Sequence, residues 1–257
     1  MGADAAVLIL GGTAEARELA ELLAADPRIR PISSLAGRVT APHRPAGELR
    51  IGGFDGPDGL AQWLAEHRIA VLVDATHPFA ATISRHAVQA SIATGVPLVR
   101  LCRPGWQPGP GDRWHPVESG EQAATLLPEL GERVFLTTGS YQLDAFVPLS
   151  LWFLLRFIEP PQRPLPARHQ LLLQRGPFTV TDELALLREH RIDVLVTKNS
   201  GGSRTSAKLA AARTLQLPVL LLERPAPPGS ASATEVADVP AAVAAIAAAA
   251  AGETGFG

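Results

Sequence analysis

Gly11, Gly12 and Thr13 stand together between a short apolar run at residues 6–10 and a segment with helical periodicity. Glycines at the end of a strand let a backbone approach an anion, and the first turn of the following helix offers oriented N–H groups to that anion. The complete Gly-x-Gly-x-x-Gly spacing of dinucleotide-binding loops is missing, because residues 14–16 read AEA. The segment is interpreted either as a phosphate-binding loop or as a tight turn with a threonine cap.

The next loop carries an arginine at the position where nicotinamide cofactors are distinguished. An Asp or Glu usually meets the ribose of NAD after the second strand. This chain instead has Arg38 and Thr40 there, about 25 residues after the glycines. A guanidinium beside a hydroxyl suits a 2′-phosphate, because it can form two parallel hydrogen bonds with it. The pattern favours NADPH over NADH, with an exposed loop arginine as the alternative.

Asp74, Thr76 and His77 follow another apolar run and are expected beside the same cofactor. Pro78 suits the first turn of a helix over 79–95, so Thr76 or His77 either caps that helix or contacts the ligand. Asp74 is equally interpretable as a buried capping carboxylate. An imidazole in a cleft could donate a proton, and His77 is the only candidate for catalysis. No residue is assigned as catalytic.

Two later loops, residues 137–140 and 198–203, combine glycines, small hydroxyls and backbone donors at a predicted helix start, a composition that suits carboxylate or phosphate oxygens. Only two of the 23 basic residues are lysines, and both lie in the second of these loops or just behind it. They are interpreted either as charges kept for an anionic ligand or as ordinary surface lysines. The predicted substrate-binding residues are Thr138, Gly139, Ser140, Lys198, Asn199, Ser200, Gly201, Gly202 and Lys208.

Composition excludes several classes of protein. The formal charge of -2 over 257 residues argues against nucleic-acid binding, which depends on a basic surface. A single cysteine, Cys102, excludes a disulfide framework, and no zinc or P-loop motif is present, so no metal is expected. No segment has the length and flanks of a membrane span or an export signal, and a soluble cytoplasmic protein is expected.

The elements that position these loops alternate between buried strands and amphipathic helices. Strands are predicted at 6–10, 31–36, 48–53, 70–76, 96–101, 151–158 and 217–225. A strand followed by a loop or turn is predicted at 133–140, 169–178 and 192–202. The Pro- and Gly-rich segment 103–117 is interpreted as a loop or an inter-domain crossing, and 225–233 as a linker before an alanine-rich helix. The helix predicted after residue 180 has Thr181 or Asp182 as its candidate N-cap. Continuous apolar strands between helices predict parallel sheets. We expect an α/β fold of two Rossmann-like, doubly wound lobes, 1–117 for NADPH and 118–257 for substrate, with an inter-lobe cleft as the active site.

Seven motifs, in this order, resemble the precorrin-6A reductase family of cobalamin biosynthesis: LILGGTAEARELA, SLAGR, RIGGFDGPDGLAQWL, DATHPFA, LTTGS, GPF and VTKNSGG with the following KLAAARTLQLPVLLLERP. The resemblance extends from the first strand to Pro225. It implies NADPH-dependent reduction of precorrin-6A to precorrin-6B, with hydride delivered to carbon 18 and a proton to carbon 19. It further implies a large tetrapyrrole substrate bearing many carboxylates, and neighbouring pathway enzymes as transient partners.

Two other functions stay open at this point. A bilobal tetrapyrrole synthase or lyase without redox chemistry would not need Arg38 at a 2′-phosphate position. A nucleotide-binding regulatory module would keep Gly11 and Gly12, but it has no reason to carry two further anion-binding loops in the second lobe. Because a protonation partner is not evident, we expect hydride transfer to need no essential acid from the protein.

Overall fold

The computed structural model describes residues 4–37, 44–226, 229 and 233–252. These residues form twelve strands: β1 (Ala5–Leu10), β2 (Ile29–Leu35), β3 (Glu48–Ile51), β4 (Ile69–Asp74), β5 (Leu98–Leu101), β6 (Arg113–Val117), β7 (Arg133–Leu136), β8 (Trp152–Phe157), β9 (His169–Leu173), β10 (Val194–Lys198), β11 (Pro218–Leu222) and β12 (Ala233–Val236). The α-helices of the same described residues are α1 (Ala14–Ala24), α2 (Pro57–Glu66), α3 (Ala81–Thr94), α4 (Gly120–Leu130), α5 (Val180–Glu189), α6 (Ala207–Thr214) and α7 (Val239–Gly252).

The first compact unit combines Met1–Arg103 with Ala226–Gly257. Its sheet has the order β3-β2-β1-β4-β5-β12 with every pair parallel, which is the strand order of dinucleotide-binding folds. Side chains of β1 alternate between the two faces, since Val7 and Ile9 pack with α1 and α7 while Leu8 packs with α2 and α3. The order reverses between β1 and β4, so the loops after these strands meet at one edge.

The second compact unit, Pro104–Pro225, repeats this arrangement. Its sheet has the order β9-β8-β7-β10-β11-β6, again with every pair parallel. The strand order reverses between β7 and β10, and helices α5 and α6 bury Phe135 and Leu195 on one face. A short 3-10 helix, Leu143–Phe146, connects β7 to β8 where the sequence suggested the start of an α-helix. Two parallel α/β sheets of Rossmann-like order are therefore confirmed.

The division of the chain differs from the predicted boundary between 1–117 and 118–257. Strand β6, predicted as loop, pairs with β11 in the second unit, and β12 brings the chain back to pair with β5 in the first unit. Both are edge strands of four or five residues. A sheet edge tolerates a proline such as Pro116, so the composition that indicated a loop is compatible with a strand there.

Two helix starts also differ from the predictions. Pro78 and Phe79 form a turn, and α3 begins only at Ala81. Thr179 caps α5 by accepting a hydrogen bond from the Asp182 N–H, where the sequence suggested Thr181 or Asp182 as the cap. In the part of the chain that the structure describes, no helix is long and apolar enough to cross a bilayer.

Candidate active site

The loop after β1 leads directly into α1. Gly12 has φ +110°, a conformation that favours glycine, and no atom lies within 4 Å of the position that a Cβ would take. Thr13 Oγ1 accepts a hydrogen bond from the Ala16 N–H at 3.0 Å and donates one to the Ala75 carbonyl at 2.8 Å. Thr13 therefore caps α1 and joins this loop to the loop after β4, while the backbone at Gly12 stays open to a ligand.

The loop after β4 is held by Asp74, which is 5% exposed. Its Oδ1 accepts hydrogen bonds from the Thr76 hydroxyl at 2.6 Å and the Thr76 N–H at 3.2 Å. The other oxygen faces Arg100 Nε at 3.7 Å. His77 Nδ1 accepts a hydrogen bond from the Phe79 N–H at 3.2 Å. The Asp74 carboxylate thus points into the protein and shapes the loop that presents Thr76.

Arg103 and Glu15 form an ion pair beside the loops after β1 and β4. Arg103 Nη1 is 2.8 Å from Glu15 Oε2, and Glu15 belongs to the first turn of α1. A small pocket at this edge of the sheet is lined by Thr13, Glu15, Thr76, Pro78, Leu101 and Arg103. The positive end of α1 therefore faces this depression, and the Arg103 guanidinium offsets the charge of the Glu15 carboxylate beside it.

Arg38 and Thr40, the residues predicted to select NADPH, lie outside the described residues. Arg50, the next-to-last residue of β3, was not singled out from the sequence. Its guanidinium donates hydrogen bonds to the carbonyls of Gly52 and Gly53 and lies 3.7 Å from the centre of the Phe54 ring. Burial lowers the pKa of Arg50, with Asp55 opposing that effect. Arg50 fixes the loop after β3.

In the second unit, the loop after β7 begins with a threonine anchored to the neighbouring strand. The N–H and Oγ1 of Thr137 both bond to the Val196 carbonyl, at 3.0 and 3.2 Å. Thr138 is 1% exposed, Gly139 has φ +61°, and Ser140 is exposed. Of the three predicted residues, Ser140 is the one whose side chain reaches the surface.

The loop after β10 is fastened to the segment around Trp106. Asn199 Oδ1 accepts a hydrogen bond from the Trp106 N–H at 2.7 Å, and its Nδ2 donates to the Trp106 carbonyl at 3.3 Å. The Trp106 indole N–H in turn donates to the Gly202 carbonyl at 2.8 Å. The Asn199 side chain therefore acts inside the unit as a clamp for its own loop.

Arg224 holds the same loop from the end of the second unit. Its Nε donates to the Asn199 carbonyl at 2.8 Å and its Nη2 to the Ser200 carbonyl at 3.1 Å. These contacts, with those of Trp106, turn the loop carbonyls inward. Within the described chain, the backbone N–H groups of residues 201–205 donate to no protein acceptor. Gly201 and Gly202 both have positive φ values in this loop. The backbone N–H groups of the loop are therefore candidates to donate to a bound anion.

The two lysines differ in their surroundings. Lys198 is partly exposed, and its Nζ lies 5.6 Å from the centre of the Tyr141 ring in the loop after β7. Burial raises the pKa of Tyr141, with a further contribution from Glu121. Lys208 is only 7% exposed, and its Nζ donates to the Thr205 carbonyl at 2.6 Å. Lys208 is thus a buried side chain rather than the surface lysine considered from sequence.

Strands in the order β3-β2-β1-β4-β5, with a glycine turn and a capped helix start at the point of reversal, define an α/β protein of the dinucleotide-binding class. The comparisons with known proteins narrow this class. The chain belongs to the precorrin-6x reductase family, CbiJ/CobK, whose family model matches residues 6–247.

Similar proteins cover nearly the whole chain. It is 56% identical to the precorrin-6A reductase of Rhodococcus erythropolis over 233 residues, which are 90% of this chain and 94% of that protein. It is 50% identical to the precorrin-6A reductase of Mycobacterium tuberculosis over 231 residues, 89% and 93% of the two chains. A solved structure of CobK precorrin-6A reductase superposes with a TM-score of 0.88 at 40% identity, covering 95% of this chain and 97% of that one. The resemblance noted in the motifs is confirmed.

Proposed function

We propose that this chain is an NADPH-dependent precorrin-6A reductase that produces precorrin-6B in cobalamin biosynthesis. The observation that carries the proposal is the match to the CbiJ/CobK family over residues 6–247. The dinucleotide-binding strand order and the open glycine turn after β1 support it, because a reductase needs a place for a cofactor that supplies hydride. A synthase, a lyase or a regulatory module would leave this family match unexplained.

The first unit fits a dinucleotide in three respects. The space at Gly12 admits a pyrophosphate close to the backbone, and the start of α1 supplies oriented N–H groups. Arg103 neutralises Glu15, which would otherwise repel phosphate from the first turn of α1. We assign cofactor binding to Gly11, Gly12, Thr13, Arg38, Thr40, Thr76 and His77, with Asp74 acting through the conformation of its loop.

NADPH supplies a hydride when bound, and the residues around it position the reactants. His77 Nδ1 accepts a hydrogen bond from the Phe79 N–H, which fixes the imidazole within the loop after β4. We propose that hydride is delivered to carbon 18, and that the proton for carbon 19 comes from water or the substrate. His77→Ala should therefore retain turnover; loss of turnover with intact cofactor and substrate binding would contradict this assignment.

The second unit fits the carboxylates of a tetrapyrrole. The backbone N–H groups of residues 201–205 donate to no acceptor among the described residues, and Lys198 and Ser140 present a cation and a hydroxyl near the same edge of the sheet. We assign substrate binding to Gly139, Ser140, Lys198, Ser200, Gly201 and Gly202, with the buried Thr138 supporting the first loop and Asn199 and Lys208 supporting the second. Many distributed donors suit a broad polyanion better than one deep pocket does.

The proposed function is tested by titrating the purified protein with NADPH and with NADH. We expect a preference for NADPH that is lost in Arg38→Ala and kept in Arg44→Ala, which removes an exposed arginine from the same connection. Turnover is then followed as NADPH consumption and a spectral change with precorrin-6A. Deuteride carried from labelled NADPH should appear at carbon 18. Equal binding of both cofactors, or no turnover, would count against the proposal.

A further inference from the structure

Lys208 is a buried cation that supports the loop of residues 199–206. It lies in the first turn of α6 and donates from Nζ to the Thr205 carbonyl at 2.6 Å. The same Nζ is 5.1 Å from the centre of the Trp106 ring. Trp106 bonds to Gly202 and to the Asn199 side chain, so Lys208 and Trp106 together contact both ends of the loop.

Charged groups of both signs act on Lys208. Arg156 of β8 and Glu183 of α5 form a buried ion pair with Nη1 and Oε1 at 2.6 Å. Arg156, Glu183 and Lys198 of β10 are the charged groups that act on the Lys208 amine. Two of these groups, Arg156 and Lys198, disfavour a positive charge on Lys208, and Glu183 favours it.

Burial is the main influence on Lys208 and lowers its pKa to about 7. Glu183 acts in the opposite direction, while Arg156 and Lys198 lower the pKa further. Near neutral pH the side chain is therefore a mixture of amine and ammonium. A negative charge placed at the loop would favour the ammonium form, because an opposite charge stabilises a charged group.

We propose that Lys208 is a positioning residue of the substrate loop, and that binding of a substrate carboxylate to the amides of residues 201–205 is coupled to protonation of Lys208. This inference rests on the substrate role proposed for the loop. The ammonium holds the Thr205 carbonyl through a charge-assisted hydrogen bond and lies against Trp106, so it keeps the loop amides turned toward the ligand. By linkage, protonation strengthens substrate binding as much as binding favours protonation.

The coupling has a definite sign. Well below pH 7 Lys208 is already an ammonium, so substrate binding takes up no proton there. About one pH unit above its pKa the side chain is roughly ten parts amine to one part ammonium, and binding takes up close to one proton. The dissociation constant for substrate should accordingly rise by up to about tenfold from pH 6 to pH 8.

Calorimetry of precorrin-6A binding in buffers of different ionisation enthalpy measures this uptake directly. We expect close to one proton at about pH 8 and none at about pH 6 for the unmodified enzyme. Lys208→Met should abolish the uptake at about pH 8, and Lys208→Arg, charged at both pH values, should abolish it while keeping tight binding. Arg188→Met, which removes an exposed cation from α5, should leave the uptake unchanged.

Turnover with NADPH is measured in parallel. Turnover and binding without proton uptake in the unmodified enzyme, or uptake that persists in both Lys208 variants, would overturn the role of Lys208 and leave the proposed function standing. Failure of the unmodified enzyme to bind precorrin-6A at either pH would overturn both. If Lys208→Met does not fold, Lys208→Arg and the pH series of the unmodified enzyme still decide the question.

Discussion

Replacing Gly201 with alanine tests how firmly the loop after β10 is held. Gly201 has φ +68°, and a Cβ added there would lie 2.1 Å from the Pro104 carbonyl oxygen and 2.7 Å from Arg224 Nη2. The arginine is the end of a flexible side chain, but the carbonyl belongs to the backbone and must shift. Gly139 is a matched control, because it has φ +61° and nothing within 4 Å of an added Cβ.

The two substitutions share one energetic cost and differ in another. An alanine in the left-handed region costs about 1–2 kcal/mol at either position. Only at Gly201 must the surroundings also move, which adds about 1–3 kcal/mol as in other overpacked sites. The free energy of unfolding of the second unit should therefore fall by about 2–5 kcal/mol in Gly201→Ala, against about 1–2 kcal/mol in Gly139→Ala.

Urea unfolding followed by tryptophan fluorescence provides the assay. Trp106, Trp114 and Trp152 belong to the second unit and Trp63 to the first, so the signal reports mainly on the second unit. We expect a clearly lower urea midpoint for Gly201→Ala than for Gly139→Ala. Equal midpoints would refute the reasoning, because they would show that the Pro104 carbonyl moves without cost and that the loop is not held by its contacts.

Three other substitutions test contacts outside this loop. Thr13→Ala removes the cap of α1 and its bond to the loop after β4, so we expect about 1–3 kcal/mol lower stability in thermal unfolding and weaker NADPH binding, whereas Thr13→Ser should retain both. Glu235→Gln removes the carboxylate 2.5 Å from Arg100 Nη1, so amide exchange in β12 should accelerate relative to β1; unchanged exchange would contradict this anchoring role. Arg213 holds the Asp112 carboxylate through a hydrogen-bonded ion pair. Burial is the largest influence on the pKa of Asp112 and acts to raise it. Hydrogen bonds from Arg213 and a backbone N–H together outweigh burial and keep that pKa below its ordinary value. The contribution of ionised Asp112 to the free energy of unfolding is complete above the ordinary pKa and is lost as pH falls through the lowered value. Asp112→Asn should therefore be about 1–3 kcal/mol less stable than the unmodified protein at neutral pH, and it should lose less stability than the unmodified protein in acid.

The alternation of apolar strands and helices was sufficient to predict both sheets and their parallel direction. The ten predicted strands correspond to β1–β5 and β7–β11. The two that sequence reasoning missed, β6 and β12, are edge strands paired on one side only. Short edge strands need neither a continuous apolar run nor freedom from proline, so their composition resembles that of loops. The pairing of β12 with β5 also joins segments that are far apart in the sequence, such as Ala233 and Leu98, which no local pattern reveals.

The positions of the candidate site loops were predictable, but the directions of their side chains were not. Glycines and hydroxyls after strands indicate the carboxyl edge of a parallel sheet, and the structure places these loops there. Asn199 and Lys208 are residue types that often bind ligands, yet both side chains turn inward. Asn199 bonds to the backbone of Trp106, and the Lys208 amine lies against the Trp106 ring. Such partners are fixed by tertiary packing, so the amide groups of the loop replace these two side chains as the proposed contacts.

The residues that connect the two units also hold the candidate site loops. Arg103, the last residue before the chain enters the second unit, pairs with Glu15 at the start of α1. Trp106, just inside the second unit, bonds to Asn199, and Arg224, just before the chain leaves it, holds the carbonyls of the same loop. A segment rich in proline and glycine therefore supplies contacts that shape both ligand loops. The composition of 103–117 indicated a loop or a crossing between domains, and it gave no sign that this segment contains residues that hold the site loops. We expect substitutions in these connections to alter ligand affinity before they alter the fold.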